Sequence, residues 1–198
     1  CVVARSKEAK QLGIKAGTPY FQLKQLYPNT KIETFSSNYE LYGEITGRVM
    51  TIIRDMTPRC FRYSIDEAFA VLDGFSTEQL RDWGEQLHDR IQMSVGMPIS
   101  IGIARTKTLA KMASYFAKKY PGYNHVCIID SEEQRLKAAR LYPIGEIWGI
   151  GRRYQARLEA MGIRTAHDFA SHSASWVRST FKTVVICLLY TSPSPRDR

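Results

Sequence analysis

Closely spaced cysteines and histidines, the usual ligands of zinc and haem, are missing from this sequence. Tens of residues separate its four cysteines, which form no C-x-x-C pair, and its four histidines form no H-x-x-x-H pair. This spacing argues against a disulfide scaffold, a zinc site and a haem site, and it favours a reducing cytosol. The cysteines are Cys1, Cys60, Cys127 and Cys187.

Long apolar runs are missing as well. The longest one, residues 184–190, is much shorter than the roughly 18 residues that cross a bilayer, so we expect no membrane helix. No charged start followed by an apolar segment and a cleavage site opens the chain, so no secretory signal is predicted. The first residues are Cys-Val-Val without an initiator methionine, and we expect the sequence to be part of a longer protein.

The composition is that of a folded protein with an excess of positive charge. Hydrophobic residues make up 44% of the 198 residues and charged residues 24%, close to the globular average. Lysine and arginine number 28 against 19 acidic residues, which gives a formal net charge of +9. This excess favours a polyanionic partner such as nucleic acid, although solubility alone explains it equally well.

The order of the predicted elements indicates an α+β fold, a sheet with helices packed on one face. Strand 99–104 has isoleucines on one face and small residues on the other, which lets another backbone approach closely. Only helices are predicted after residue 130, so a domain boundary is expected there. The predicted elements are a helix begun by a Ser37–Glu40 capping box and ended by Pro58, strand-like runs 61–63 and 68–72, a helix from Ser76, strand 99–104, helix 106–120, strand 126–129, and helices from Ser131, Arg152 and Thr165.

Asp66 and Glu67 are the first candidates for chemistry. Adjacent side chains on a regular strand point to opposite faces, so the two carboxylates serve one site only where the strand bends. They lie between two strand-like runs, where Ser64 can begin such a turn. Paired carboxylates repel each other unless a cation is present, and Mg²⁺ with its oxygen ligands meets that need. The alternative is an exposed turn pair without a function.

A second candidate is Gly149-Ile-Gly151, which leads directly into a predicted helix opened by Arg152 and Arg153. Such a turn exposes backbone N–H groups at the positive end of the helix dipole, an arrangement that binds anions. The spacing is wrong for a dinucleotide-binding loop and suits a helix-hairpin-helix phosphate clamp. Residues 135–164 contain seven basic residues against two glutamates, which favours contact with a DNA backbone over a simple helix–helix turn.

Two groups of lysines come third. One group lies near the start of the chain and could meet a triphosphate: Lys7, Lys10 and Lys15. The other lies on the polar side or at the end of helix 106–120: Lys107, Lys111, Lys118 and Lys119. From the residues alone, solvated surface is the safer interpretation of each lysine.

With these residues in view, the sequence resembles the Y-family translesion DNA polymerases, and in particular their UmuC branch, the catalytic subunit of bacterial DNA polymerase V. The resemblance runs in the family's order over about residues 1–181. The matching segments are ARSKEAK at 4–10, LGIKAG at 12–17, FSSNYELY at 35–42, SIDEA at 64–68, GIARTKTLAK at 102–111 and WGIGRR at 148–153.

The resemblance implies an architecture and a set of roles. Residues 1–37 correspond to partial fingers, 38–129 to a palm with an antiparallel sheet and helices on one face, and 130–185 to an all-helical helix-hairpin-helix thumb. Asp66 and Glu67 match metal-binding carboxylates that hold two Mg²⁺ ions, and Lys10 matches a triphosphate-binding position. The residues that match DNA contacts are Lys107, Lys111, Gly149, Gly151, Arg152 and Arg153.

The resemblance also implies parts that this sequence does not contain. In the family, the first palm strand has the remaining metal-binding aspartate and the aromatic steric gate, both expected upstream of Cys1. The little-finger domain is expected after the thumb, and residues 186–198 are predicted to be a disordered, non-native tail. Cys127 stands where some relatives have a triphosphate lysine. By itself, this chain is therefore expected to be inactive.

The expected function is error-prone addition of deoxynucleotides opposite damaged template in SOS-type repair. Its expected ligands are primer–template DNA and deoxynucleoside triphosphates. Family resemblance adds a UmuD-type accessory subunit, a recombinase filament and a sliding clamp, in the bacterial cytoplasm at the nucleoid.

Two other interpretations stay open. A nucleotidyl or diguanylate cyclase also has acidic metal ligands on a similar palm, although the basic helices after residue 130 argue against it. A non-catalytic helix-hairpin-helix DNA-binding protein would make the Asp66–Glu67 pair incidental. Magnesium-dependent primer extension distinguishes the three, because a cyclase makes cyclic nucleotide and a binding module makes no product.

Overall fold

A computed structural model of the chain describes residues 1–57 and 59–181. It divides into two compact units, Cys1–Tyr39 and Glu40–Arg198. The predicted tail, 186–198, and the last residues of the predicted thumb, 182–185, lie outside the described residues. No helix among the described residues is long and apolar enough to cross a membrane.

The first unit is built from two short helices, α1 (Lys7–Gln11) and α2 (Tyr20–Leu26). The Ser6 hydroxyl accepts a hydrogen bond from the Ala9 backbone N–H at 3.2 Å, which starts α1. The apolar side chains of Ile14 and Leu23 are buried.

The second unit contains the remaining helices and all strands of the described part. They are α3 (Tyr39–Met56), β1 (Cys60–Arg62), β2 (Ala68–Ala70), α4 (Thr77–Val95), β3 (Ile101–Ala104), α5 (Lys107–Lys119), β4 (Val126–Ile129), α6 (Glu132–Leu141), α7 (Arg152–Ala160), α8 (Ala166–Ala170) and α9 (Ala174–Phe181). Capping boxes at Ser76, Ser131 and Thr165 start α4, α6 and α8 as predicted. Helix α3 begins one residue later than a Ser37 cap requires.

The strands pair in two different ways. β1 and β2 are antiparallel, with Cys60 opposite Ala70, and their short connection is the Asp66–Glu67 turn. β3 and β4 are parallel, with Ile101 opposite Val126. The sequence predicted an antiparallel sheet, which describes only the first pair, because α5 connects β3 to β4 and a crossover helix brings the second strand back in parallel.

Helices cover both faces of the β3–β4 pair, whereas one covered face was predicted. On the small-residue face, a Cβ at Gly102 would overlap the Ala110 carbonyl oxygen and the Ser114 backbone nitrogen of α5. The close backbone approach that the sequence predicted is therefore confirmed. On the other face, Ile101 and Ile103 pack against a core that includes Ile91 of α4. The isoleucine face also needs a helical cover because it is apolar.

Among the described residues, the larger apolar core spans the boundary predicted near residue 130. It joins α5 residues such as Phe116 to Tyr142, Leu158 and Phe181, all of them buried. Helices α5 and α6–α9 thus share one continuous core. The division into fingers 1–37, palm 38–129 and thumb 130–185 stays a prediction.

Candidate functional site

The turn between β1 and β2 presents both candidate carboxylates. The backbone N–H groups of Tyr63 and Ser64 both donate to the Glu67 carbonyl oxygen, at 2.9 and 3.1 Å, and close the turn. The Ser64 hydroxyl donates to Asp66 Oδ1 at 2.7 Å and accepts from the Asp66 N–H at 3.3 Å. Asp66 and Glu67 are both exposed. Both residues lie in the bend between two strands, as the sequence predicted.

Lys111 of α5 forms an ion pair with one of these carboxylates. Its Nζ donates to Glu67 Oε1 at 2.6 Å. The same Nζ lies 5.2 Å from the ring centroid of Tyr63 and 5.4 Å from that of Trp148. Two aromatic faces and one carboxylate therefore surround the ammonium group, and only 23% of the Lys111 side chain is exposed.

Lys107 lies one helical turn earlier on α5 and contacts the same hairpin at different residues. Its Nζ lies 4.6 Å from the ring centroid of Phe61 and 5.6 Å from that of Phe69. These two rings stack on each other across the β1–β2 pair, with their centroids 5.6 Å apart. The structure thus brings Lys107 and Lys111, both candidates from the sequence, to the hairpin that presents the carboxylates.

Trp148 connects this hairpin to the glycine turn. Its indole Nε1 donates to the Tyr63 hydroxyl at 2.9 Å, and the two rings meet edge to face at 5.2 Å. The Phe69 ring lies 6.1 Å from the Trp148 ring. Trp148 directly precedes Gly149, so the glycine turn starts beside the carboxylate hairpin. From the sequence, Trp148 was only part of the matching segment 148–153 and no candidate for the site.

The glycine turn has the geometry of an anion site. Gly149 has φ +95°, in the left-handed region that glycine adopts without strain. Gly151 is the N-cap of α7, with no side-chain capping bond, and a Cβ there would meet no described atom within 4 Å. Arg152 and Arg153 follow and are exposed. The backbone N–H groups at this helix start can therefore receive an anion.

Lys10 belongs to the first unit, where it is an exposed residue of α1. Its backbone carbonyl accepts from the Gly13 N–H at 3.0 Å, which ends the helix in a turn. The carboxylates and the glycine turn belong to the second unit. The triphosphate-binding role of Lys10 stays a prediction.

The donor set at the hairpin fits a hard divalent cation. Asp66 and Glu67 offer carboxylate oxygens on one exposed turn, and such oxygens are the ligands that Mg²⁺ prefers. Within residues 1–57 and 59–181, no group of three or more His, Cys, Asp or Glu side chains lies together. A cation at Glu67 would compete with the Lys111 ammonium, which already occupies Oε1.

Known proteins resemble this chain in sequence and in fold. Residues 1–115 match the family described as IMS, the impB/mucB/samB family. The chain is 40% identical over 187 residues to protein UmuC of Salmonella typhimurium. The matched region covers 93% of this chain and 44% of the relative. It is 33% identical over 180 residues to DNA polymerase IV 2 of Mesorhizobium japonicum, covering 89% of this chain and 42% of the relative.

The solved structures establish the fold. A DinB family error-prone DNA polymerase from Sulfolobus solfataricus superposes with a TM-score of 0.78 at 24% identity, over 97% of this chain and 60% of that one. An insertion ternary complex of Dbh DNA polymerase gives a TM-score of 0.76 at 22% identity, over 96% of this chain and 55% of the other. The predicted α+β fold with a polymerase palm is confirmed. Against the curated relatives, the chain spans less than half of their length.

Proposed function

The chain belongs to the impB/mucB/samB family, and from that premise we propose that it supplies the metal-binding turn and the DNA-backbone turn of a translesion DNA polymerase. Its substrates are then primer–template DNA and deoxynucleoside triphosphates. The reaction is addition of a nucleotide to the primer by phosphoryl transfer opposite damaged template. The partners expected from the family resemblance, a UmuD-type subunit, a recombinase filament and a sliding clamp, belong to the same proposal.

One observation supports this proposal most strongly: Trp148 joins the glycine turn to the carboxylate hairpin. The indole of Trp148 donates to the Tyr63 hydroxyl at 2.9 Å, and Asp66 follows three residues after Tyr63. The glycine turn and the two carboxylates therefore lie close together in one unit, which supports the roles proposed for them. A polymerase needs this adjacency, because the DNA backbone must lie beside the reacting phosphate.

The two carboxylates are the residues that would hold cations beside the reacting phosphate. Bound at Asp66 and Glu67, two Mg²⁺ ions would supply positive charge that offsets the negative charge developing during phosphoryl transfer. The Ser64 hydroxyl orients Asp66, since it donates to Oδ1 at 2.7 Å. In the proposal, Lys107 and Lys111 bind phosphate groups of the DNA beside the carboxylates.

The DNA backbone is bound at the start of α7. Gly149 and Gly151 leave the backbone N–H groups accessible to a phosphate, and Arg152 and Arg153 add positive charge. These contacts hold the duplex without reading its sequence. Lys10, on the first unit, binds the triphosphate of the incoming nucleotide.

Removing the carboxylates tests this function. Because the chain covers 44% of the UmuC relative, activity is measured in a chimera in which this chain replaces the matched segment of that relative. Asp66→Ala or Glu67→Ala should lower nucleotide addition at least about 10³-fold, because the carboxylates act mainly in the transition state. Affinity for primer–template should change less than about threefold, since cations supply most of it.

The unmutated chimera, extending a primer with Mg²⁺, is the positive control. Glu78→Ala is the matched control variant, because Glu78 is an exposed carboxylate in the first turn of α4. It should retain full activity. Normal nucleotide addition by both carboxylate variants would contradict the catalytic assignment, and a cyclic nucleotide product would favour the cyclase.

A further inference from the structure

Lys111 and the proposed cation compete for the same carboxylate. The ammonium donates to Glu67 Oε1 at 2.6 Å, and Glu67 is one of the two residues proposed to hold metal. The Glu67 side chain is 46% exposed and therefore accessible to a cation from solvent. An ammonium group and a divalent cation cannot both occupy the closest position on one carboxylate oxygen, because like charges repel at that distance.

The surroundings of Lys111 allow its ammonium to stay in place when Glu67 changes partner. The rings of Tyr63 and Trp148 lie 5.2 and 5.4 Å from Nζ and attract a cation through their faces. The Trp148 N–H bond to the Tyr63 hydroxyl fixes these two rings relative to each other. An ammonium that loses its carboxylate here is left with a positive charge without an anionic partner, next to the turn that would bind phosphate.

We propose that Lys111 exchanges partners: it pairs with Glu67 when the turn holds no divalent cation, and with a DNA phosphate when the cation takes Glu67. This inference rests on the proposed function and adds to it the order in which the cation and the DNA bind. Cation binding frees the ammonium, and the freed ammonium strengthens binding of the anionic substrate. Metal and DNA then promote each other's binding through one side chain.

The first experiment measures Mn²⁺ affinity of the 198-residue chain by the electron paramagnetic resonance signal of the free ion. Lys111→Met removes the competing charge and should tighten Mn²⁺ binding about three- to tenfold. Lys118→Met is the matched control, because it removes the same charge from an exposed position at the end of the same helix. It should change the affinity less than about twofold, since solvent screens the more distant charge. Unchanged or weaker binding by Lys111→Met would overturn the exchange.

The second experiment uses the unmutated chain and so does not depend on a variant that folds. An acylating reagent labels lysine amines, and mass spectrometry gives the labelling ratio of Lys111 to Lys118, which is exposed at the end of the same helix. Adding Mg²⁺ should raise this ratio at least about threefold, because the Glu67 pair no longer protects Lys111. Adding primer–template DNA with Mg²⁺ should lower it again. A labelling ratio that does not change with Mg²⁺ would refute the release of Lys111 from Glu67. A ratio that does not change with DNA would refute the pairing of Lys111 with a DNA phosphate.

A third set of variants separates failure of this inference from failure of the proposed function. Asp66→Asn and Glu67→Gln should each weaken Mn²⁺ binding at least about tenfold, because each removes an anionic ligand. If both variants bind Mn²⁺ normally, the assignment of the metal site is wrong, and the proposed exchange is refuted as well. Suppose that both variants lose Mn²⁺ binding, while in the unmutated chain Mg²⁺ leaves the labelling ratio of Lys111 to Lys118 unchanged. The metal site is then supported and only the exchange is wrong.

Discussion

At the scale of single residues, burial decides how the cysteines of this chain can react. Cys127 on β4 is 2% exposed, and burial raises the pKa of its thiol to about 11. Cys1 is exposed. A buried neutral thiol of this kind reacts slowly, because the thiolate is the nucleophilic form.

Alkylation at pH 8 should therefore distinguish Cys127 from Cys1. With a pKa of about 11, only about one Cys127 thiol in a thousand is a thiolate at pH 8, and burial blocks access as well. Iodoacetamide should label Cys1 readily and Cys127 only after the chain is unfolded with guanidinium, as measured by peptide mass spectrometry. The Cys127 thiolate fraction rises with pH and reaches one half near pH 11. Rapid labelling of Cys127 in the native chain at pH 8 would contradict its burial.

At the scale of elements, the contact between β3 and α5 depends on one missing side chain. Gly102→Ala places a Cβ onto the Ala110 carbonyl oxygen and the Ser114 backbone nitrogen, which cannot move without displacing the helix. We expect it to lower the free energy of unfolding by at least about 3 kcal/mol, measured by urea denaturation.

Gly47→Ala is the matched control for this substitution. Gly47 lies inside α3, and a Cβ there would meet no described atom within 4 Å. Because alanine is a better helix former than glycine, this variant should raise the stability by about 0.5–1 kcal/mol. Equal stability of the Gly102→Ala variant and the unmutated chain would show that β3 and α5 are less closely packed.

The start of α8 is a second element with a testable dependence, this time on pH. Asp168 accepts hydrogen bonds from the Arg164 and Thr165 backbone N–H groups, both at 3.0 Å, and the bond from Arg164 is the main reason that its pKa is lowered. A carboxylate with a lowered pKa stabilises the fold above its unfolded pKa, near 3.9, and this contribution disappears as pH falls through the folded pKa.

Asp168→Ala should therefore cost about 1 kcal/mol at pH 7. The difference from the unmutated chain should shrink as pH falls through the lowered folded pKa of Asp168, because the carboxylate becomes protonated. Thermal unfolding followed by circular dichroism measures both. Asp168→Asn keeps an oxygen acceptor but no charge, so its stability should not depend on protonation at this position. A difference between the alanine variant and the unmutated chain that grows as pH falls would contradict the assignment.

At the scale of the whole molecule, the distribution of the positive charge matters as well as its total. The chain has a net charge of +9, and the proposed DNA contacts concentrate part of it at the start of α7. Replacing Arg152 and Arg153 with alanine should lower the slope of log affinity against log salt by up to about 2 units, because each phosphate contact adds about 0.9. Fluorescence anisotropy of labelled primer–template at several salt concentrations measures this slope.

Lys118 and Lys119 provide a control with the same loss of charge. They are exposed at the end of α5, where lysines are favourable without any ligand. Replacing both with alanine should change the slope by less than about 0.5 units. If the arginine pair leaves the slope unchanged, the glycine turn is a structural helix connection.

The elements of this fold were predictable where their signals are local. Capping boxes at Ser76, Ser131 and Thr165 join residues three positions apart, and each starts a helix. The parallel pairing of β3 and β4 and the helix on the isoleucine face were missed. Both features depend on the course of the chain in three dimensions. Capping residues and hydrophobic periodicity are local signals and do not predict that course.

The sequence by itself determined which residues could form the site: Asp66 and Glu67 between two strand-like runs, two lysines on one helix, and a glycine turn before α7. Only the tertiary structure decided which of them meet. Lys111 and Glu67 are 44 positions apart, and Trp148 and Tyr63 are 85 apart. Turn closure and helix capping act between near neighbours. The Lys111–Glu67 and Trp148–Tyr63 contacts instead join segments that meet only in the folded chain, where α5 and the Trp148 loop share one apolar core and the β1–β2 hairpin packs on the other.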